Sequence, residues 1–238
     1  METGPLQIDE QGRAMDGSSI TSDRRLFMQF LSYGGCQDES LLAETLTESG
    51  IESVLYRDIN DPQGIGLLTL SDSPDFFIDT LRPVLNEDPF RALTLKPEYT
   101  MFGRTYTIGY ETDLDEVLLE RPRRRVFSAD ESWAVWYPLR RAGSFEQLPT
   151  AEQREILMEH GRLGSSFGEA GYAVDIRLAC HGIDKHDNDF VIGLLGKDLH
   201  PLSALVQAMR KTQQTSKHLT SLGPFFVGKV FWQSHPVP

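Results

Sequence analysis

The stretch REILMEHGRLGSSFG, residues 154–168, sets His160 among apolar neighbours at helical spacing. Ile156 lies four residues before it, Leu163 three after and Phe167 four beyond that, so all four share one stripe of a helix. An imidazole on such a stripe has two chemical uses. It is a core histidine satisfied by a hydrogen bond, or the single protein ligand of a metal or cofactor, for which a neutral ring nitrogen is suited. A second grouping is AVDIRLAC, residues 173–180. Strand alternation puts Val174, Ile176, Leu178 and Cys180 on one face and Ala173, Asp175, Arg177 and Ala179 on the other. The first face suits packing under helices. The second holds a charged pair between small residues, either open to solvent or lining a roomy polar cavity.

Other groupings carry less. HGIDKHDND gathers His181, Asp184, His186, Asp187 and Asp189, but the spacing matches neither a calcium loop nor a zinc pattern. Such a polar run reads as a hairpin loop. RPRRR, residues 121–125, suits an anion or a partner, or is a basic linker. Gly64 and Gly66 in QGIG do not lead from a strand into a helix, so they are turn glycines rather than a dinucleotide loop. No G-x-S-x-G elbow supports a serine–histidine–acid set.

The elements that must hold these residues repeat. RRLFMQFLSYGGC reads as a strand ended by Gly34 and Gly35. DESLLAETLTESG follows as a helix capped by Asp38 or Ser40 and stopped at Gly50. SVLYRDI and GIGLLTL form a hairpin around NDPQ. SPDFFIDTLRPVLNED is a second helix with Pro74 in its first turn, and MFGRTYTIGYE a closing strand. The order recurs after residue 130. ESWAVWYPLRR is a strand, and TAEQREILMEHGRLGSSF a helix whose Thr150 and Gln153 have capping-box spacing. GYAVDIRLACHG and NDFVIGLLGK pair around IDKHD. HPLSALVQAMRKTQQTSKHL reads as one helix with Leu202, Leu205, Val206 and Met209 on a stripe, and GPFFVGKVFWQ ends the unit. Two β-α-β-β-α-β units in tandem predict an α+β fold of two ferredoxin-like halves whose sheets face one another. The expected divisions are a disordered tail over 1–23, an N-terminal half over 24–112, a linker over 113–130 and a C-terminal half over 131–234.

A net charge of −12 over 238 residues argues against nucleic acid or an anionic membrane surface as partner, while leaving room for a local basic pocket. No apolar run approaches the length of a membrane span. The N-terminus lacks the basic start and apolar stretch of a secretory signal. Cys36 and Cys180 sit in strand-like contexts, so no disulfide framework is expected and a reduced, cytoplasmic setting is.

The run WYPLRRAGSFEQLPTAEQREILMEHGRLG, with DIRLACHG and TSLGPFFVG after it, resembles the chlorite dismutase family of heme proteins, which includes coproheme decarboxylases. The resemblance covers both halves, the first mainly by pattern. It implies the doubled ferredoxin-like fold of dimeric α+β barrel type, with heme b in the C-terminal half. His160 falls on the proximal iron ligand and Arg177 on the distal arginine of the dismutases, which would attract chlorite and steady charge on its oxygens. Arg141 falls on a basic position that pairs with a heme propionate, and Trp136 and Tyr137 would lie near the pocket edge. The implied reaction takes chlorite to chloride and dioxygen, or consumes a peroxide, in a homo-oligomer of ring-shaped, homopentameric kind.

Departures from the pattern keep two alternatives open. Gln214 stands where the family places a glutamate behind the proximal histidine; a neutral partner gives the iron less electron push. Phe145 and Glu146 align with the tryptophan pair of the dismutases, and Glu146 also with the decarboxylases' oxidisable tyrosine. The alternatives are a heme-binding or heme-sensing module without fast turnover, and a coproheme decarboxylase in which Tyr137 or Tyr172 replaces that tyrosine.

Overall fold

A computed structural model describes residues 6–235. In the first half, β3 (Phe27–Gly34), α1 (Glu39–Ser49), β4 (Ser53–Asp58), β5 (Ile65–Ser71), a π turn (Phe77–Leu81) running into α2 (Arg82–Leu85), and β7 (Met101–Arg104) follow the expected order. They are preceded by a hairpin of β1 (Glu10–Arg13) and β2 (Ser19–Ser22), and β6 (Thr94–Leu95) is a short addition to β3. After α3 (Arg121–Val126), the second half runs through β8 (Trp133–Arg141), α4 (Gly143–Glu146), α5 (Thr150–Glu169), β9 (Val174–Ala179) and β10 (Phe190–Gly196). It ends with α6 (Leu199–Met209), α7 (Gln213–Lys217), β11 (Leu219–Leu222) and β12 (Phe226–Gln233).

Strands that are apolar on both faces need a core on each side, and a closed sheet provides one inside and one outside. The strands run β10-β9-β7-β3-β5-β4-β12-β8, and pairing of β8 with β10 closes the ring. Alternate residues point inward: Met28, Phe30, Val54, Tyr56, Leu68, Trp136, Ile176, Leu178 and Phe226 share the barrel core. The other residues point outward under helices. Leu31, Leu55, Ile65 and Leu67 pack with Leu42 and Leu46 of α1, while Val135, Tyr137, Leu139 and Leu194 pack with Leu202 and Leu205 of α6. The two halves meet along β4 and β12, from Gly228 opposite Asp58 to Gln233 opposite Val54, with a register shift between Val230 and Trp232. At the other seam β7 and β9 share one bridge, Arg104 with Ala179. Most of β9 therefore presents a free edge there.

Several expectations are corrected. The face of β9 with Val174, Ile176, Leu178 and Cys180 belongs to the barrel interior, not to the outer side that packs under α6. Asp175 and Arg177 take the outer, helix-bearing side instead. The N-terminal stretch is not a bare tail: residues 6–23 include the β1–β2 hairpin, and residues 1–5 lie outside the described residues. Glu10 ties that hairpin down by accepting from Arg104 and from the Thr107 amide. The segment read as a linker is helical from Glu116 to Val126, and its Leu118, Leu119, Val126 and Phe127 plug the barrel core. The capping box of α5 does not form; Pro149 precedes the first turn, and Gln153 donates to the Leu148 carbonyl instead. The last long helix breaks between Met209 and Gln213, with Thr212 extended. That break bears on the site.

Candidate functional site

The outer face of β8, β10 and β9 is built in rows. Directly paired residues of antiparallel strands point the same way, so Tyr137, Ile192 and Arg177 form one row and Val135, Leu194 and Asp175 the next. The helix α5 packs against α6 and α7, and its Phe167 reaches the cluster around Tyr137 and Leu139. Yet of its twenty residues only Ile156 is fully buried. His160, Leu163 and Phe167 are half-buried, and so are Phe190, Ile192 and Phe225 on the sheet side. An apolar stripe and an aromatic sheet face thus confront one another without sealing.

His160 sits mid-stripe with its Nδ1 3.1 Å from Oγ1 of Thr212. That hydroxyl has one proton, and it donates it to the Met209 carbonyl at 2.8 Å. Thr212 therefore accepts from Nδ1–H, and the Nε2 lone pair stays free. Burial, the largest influence, holds the ring's pKa below its ordinary value; Glu159 opposes this, while Arg141 and Arg177 reinforce it. Burial thus favours the neutral ring, and the bond from Thr212 to Met209 favours the tautomer protonated on Nδ1. Glu159 also accepts from the Gln213 amide at 2.9 Å, which locks α5 to the start of α7. Gln214, expected behind the histidine, is buried on α7, but the partner the structure gives His160 is Thr212. Nothing in the sequence pattern singled out Thr212, because its role depends on the helix break.

Arg141 lies at the end of β8 on the same outer face. Its guanidinium covers Phe145 at 4.6 Å and Phe190 at 5.0 Å, and its Nη1 is 3.5 Å from Glu146. Its Nε is buried with no hydrogen-bond partner among the described residues. Phe145 is buried beneath it, and Glu146 is exposed. Tyr137 stacks on Phe225 at 4.5 Å, and burial pushes its phenol well above the ordinary range. Trp136 does not join them. One residue along the strand from Tyr137, it points into the barrel, wholly buried and stacked on Phe30. Its expected place at the pocket edge is corrected on strand parity alone.

Arg177 is 48% exposed, and its Nε pairs with Oδ2 of Asp175 at 3.1 Å. The other carboxylate oxygen of Asp175 accepts from Nη1 of Arg125 at 2.9 Å, and that nitrogen also reaches the Asp175 carbonyl. One acid thus bridges the free edge of β9 to α3. Tyr106 lies against the same charges; burial raises its pKa most, and Arg177 and Arg141 draw it back. Asp175 was visible in the strand as half of a charged pair, whereas Arg125 and Tyr106 gave no signal of belonging here. The HGIDKHDND loop is structural. Asp184 accepts from the His186 amide at 2.9 Å and from the Asn188 side chain at 2.8 Å. Among the described residues no cluster of three His, Cys, Asp or Glu side chains could hold a metal ion.

No helix of the described residues is long and apolar enough to cross a membrane. A search of curated proteins finds no match to the sequence. Solved structures do match. A variant chlorite dismutase from Candidatus Nitrospira defluvii aligns over 89% of this chain and 93% of its own, with a TM-score of 0.68 and 15% identity. A heme-binding protein from Thermus thermophilus aligns over 90% of this chain and 95% of its own, with a TM-score of 0.65 and 17% identity. At such identities these likenesses show the fold, the doubled ferredoxin-like barrel. The family profile for chlorite dismutase matches residues 85–231, from the end of the first half through β12. With more than half of its length matched, the chain belongs to the chlorite dismutase family.

Proposed function

We propose that the chain binds heme b through His160 and, with Arg177, uses it on a small anionic oxidant, chlorite or a peroxide. The observation that carries this is the 3.1 Å contact of His160 Nδ1 with the Thr212 hydroxyl, itself 2.8 Å from the Met209 carbonyl, which favours a free Nε2 on a half-buried apolar stripe. The donor set fits heme. A neutral imidazole suits iron, the stripe and the aromatic sheet face suit a porphyrin plane, and the unpartnered Nε of Arg141 suits a propionate. When bound, heme supplies a redox-active iron for oxygen-atom chemistry on such an oxidant. The protein's part is positioning. Thr212 and the Glu159–Gln213 bond fix the ring. Tyr137, Ile192 and Phe225 exclude water, and Arg177 draws in the anion and orients it through the donors that Asp175 leaves free. The same reading takes the protein to be a cytoplasmic homo-oligomer, of the homopentameric ring kind, which native mass spectrometry tests.

A second reading, a module that holds or senses heme without fast turnover, is favoured by the neutral partner of His160. A hydroxyl pulls less on Nδ1–H than a carboxylate would, so the imidazole stays a weaker donor to iron. Titration of the protein with hemin and with coproheme, for wild type and His160→Ala, tests both readings together. Saturable Soret bands dependent on His160 are expected; their absence with both porphyrins would sink the heme assignment. Oxygen release from chlorite by the loaded protein separates enzyme from carrier, and loss of carboxyl groups from coproheme with peroxide would point to decarboxylation.

A further inference from the structure

Among the described residues, the long-range hydrogen bonds of the β1–β2 hairpin all go to one segment, residues 104–111. Glu10, buried, accepts from Arg104 with one carboxylate oxygen and from the Thr107 amide at 2.9 Å with the other. The Thr107 hydroxyl donates to the Gln11 carbonyl at 2.7 Å, and the Arg13 amide to the Glu111 carbonyl at 2.9 Å. The other side of that segment belongs to the outer face. Tyr106, one residue before Thr107, sets its ring 5.6 Å from that of Phe190. Tyr106, Ile108 and Glu111 line one cleft together with Asp175 and Arg177, along the edge where most of β9 lacks a strand partner. The Glu111 carboxylate accepts from the amides of Ile108, Gly109 and Tyr110, which folds the end of the segment into a tight turn. That turn holds two large side chains beside the cleft, Ile108 at 49% and Tyr110 at 69% exposure.

We propose that residues 105–111 are the entrance wall of the outer-face site, and that the β1–β2 hairpin is the strap holding that wall shut. The strap consists of protein contacts alone; what passes the wall, heme above all, rests on the heme reading given under the proposed function. A segment without regular structure, held by a few hydrogen bonds, opens at lower cost than the barrel behind it. Here the bonds that resist opening converge on Glu10. Without its carboxylate, Arg104 and the Thr107 amide lose a shared acceptor at once. Among the described residues, the hairpin makes no hydrogen bond or ion pair with His160, Thr212, Arg141 or Arg177. Loosening it therefore changes how fast a ligand enters and leaves, by one factor in both directions, and leaves the affinity in place.

The heme-free full chain is tested first, by hydrogen exchange read with mass spectrometry. Glu10→Ala should speed exchange in residues 105–111 about tenfold, with β3, β5 and β8 unchanged. Thr107→Val, which removes the hydroxyl bonded to Gln11, is the milder variant should Glu10→Ala unfold, and a rise of about threefold is expected there. Stopped-flow mixing with hemin, and transfer of bound hemin to apomyoglobin, then give the rates of entry and release. Both should rise by the same factor, roughly three- to tenfold, with the equilibrium affinity within about twofold of the wild type. Unchanged exchange at residues 105–111 in both variants would overturn the strap. Faster exchange with unchanged hemin rates would overturn the wall as an entrance. A loss of affinity carried by release alone would overturn it too, since the wall would then be a binding contact. A wild type that takes up no hemin would sink the cofactor and the entrance with it, while the exchange result would still decide the strap.

Discussion

Nδ1 of His160 and Oγ1 of Thr212 stand 3.1 Å apart, joining the middle of one helix to the break between two others. The contact decides the chemistry of the ring. Because Thr212 gives its proton to the Met209 carbonyl, it offers His160 only an acceptor, and the free nitrogen is Nε2. At the break, the Thr212 hydroxyl bonds back to the carbonyl of Met209, three residues before it, and inside α7 Ser216 donates to the Thr212 carbonyl at 2.8 Å.

Thr212→Val should therefore weaken hemin binding by roughly tenfold, the range seen when partners behind metal-bound histidines are lost. Thr212→Ser should keep the wild-type affinity, because the acceptor remains. Soret titrations of the three proteins decide it; equal affinities would remove Thr212 from the site.

The depressed pKa of His160 has a signed consequence for stability. An unfolded chain takes up a proton on this ring near the ordinary value of 6.5, whereas the folded chain resists it to lower pH. The contribution is thus intact above 6.5 and is lost as pH falls below it, until the folded-state pKa is passed. Urea midpoints measured at about pH 7.5 and about pH 5.5 should drop more for wild type than for His160→Gln. Parallel drops would show that the buried ring is not responsible.

Much of this arrangement was legible in the chain. Periodicity alone marked the two β-α-β-β-α-β units and the stripe of His160, because both are set by local alternation. Strand parity correctly grouped Asp175 with Arg177. The side it assigned them was inverted, because which face of a strand meets helices depends on the sheet closing into a barrel with a core of its own. Trp136 was misplaced for the same reason. The β1–β2 hairpin was unreadable because what holds it lies far off: Arg13 donates to the Glu111 carbonyl, and Glu10 meets Arg104 and Thr107. Neither glycine nor proline marks the helix break at Thr212, so the histidine's partner was out of sight as well.

Arg177→Ala should separate substrate handling from cofactor binding. Its guanidinium is half-exposed on the outer face, in the row of Tyr137 and Ile192, and no hydrogen bond links it to His160. Chlorite turnover should fall by about a hundredfold, the scale for loss of one charge-stabilising donor, with hemin affinity little changed. Arg177→Lys should recover little, because the Nε contact to Asp175 fixes a planar group that an ammonium cannot replace. Unchanged oxygen release from either variant would remove Arg177 from substrate handling.

Trp136 and Gly193 offer a control on the opposite face of the same strands. They are paired in register on β8 and β10, and both point into the barrel. A Cβ on Gly193 would lie 2.5 Å from the indole ring, a distance no side chain tolerates. The indole cannot yield, since it is wholly buried and stacked on Phe30 at 5.8 Å. Gly193→Ala should then destabilise the fold by about 1–3 kcal/mol through overpacking. Trp136→Phe leaves a cavity instead and should cost a similar amount, about 1–3 kcal/mol. Because the ring lies across the sheet from Tyr137, neither variant should change hemin affinity while the protein stays folded. Urea unfolding and Soret titration of the same samples measure both effects. A large loss of hemin affinity in folded Trp136→Phe would mean that the barrel core and the outer face are coupled through β8.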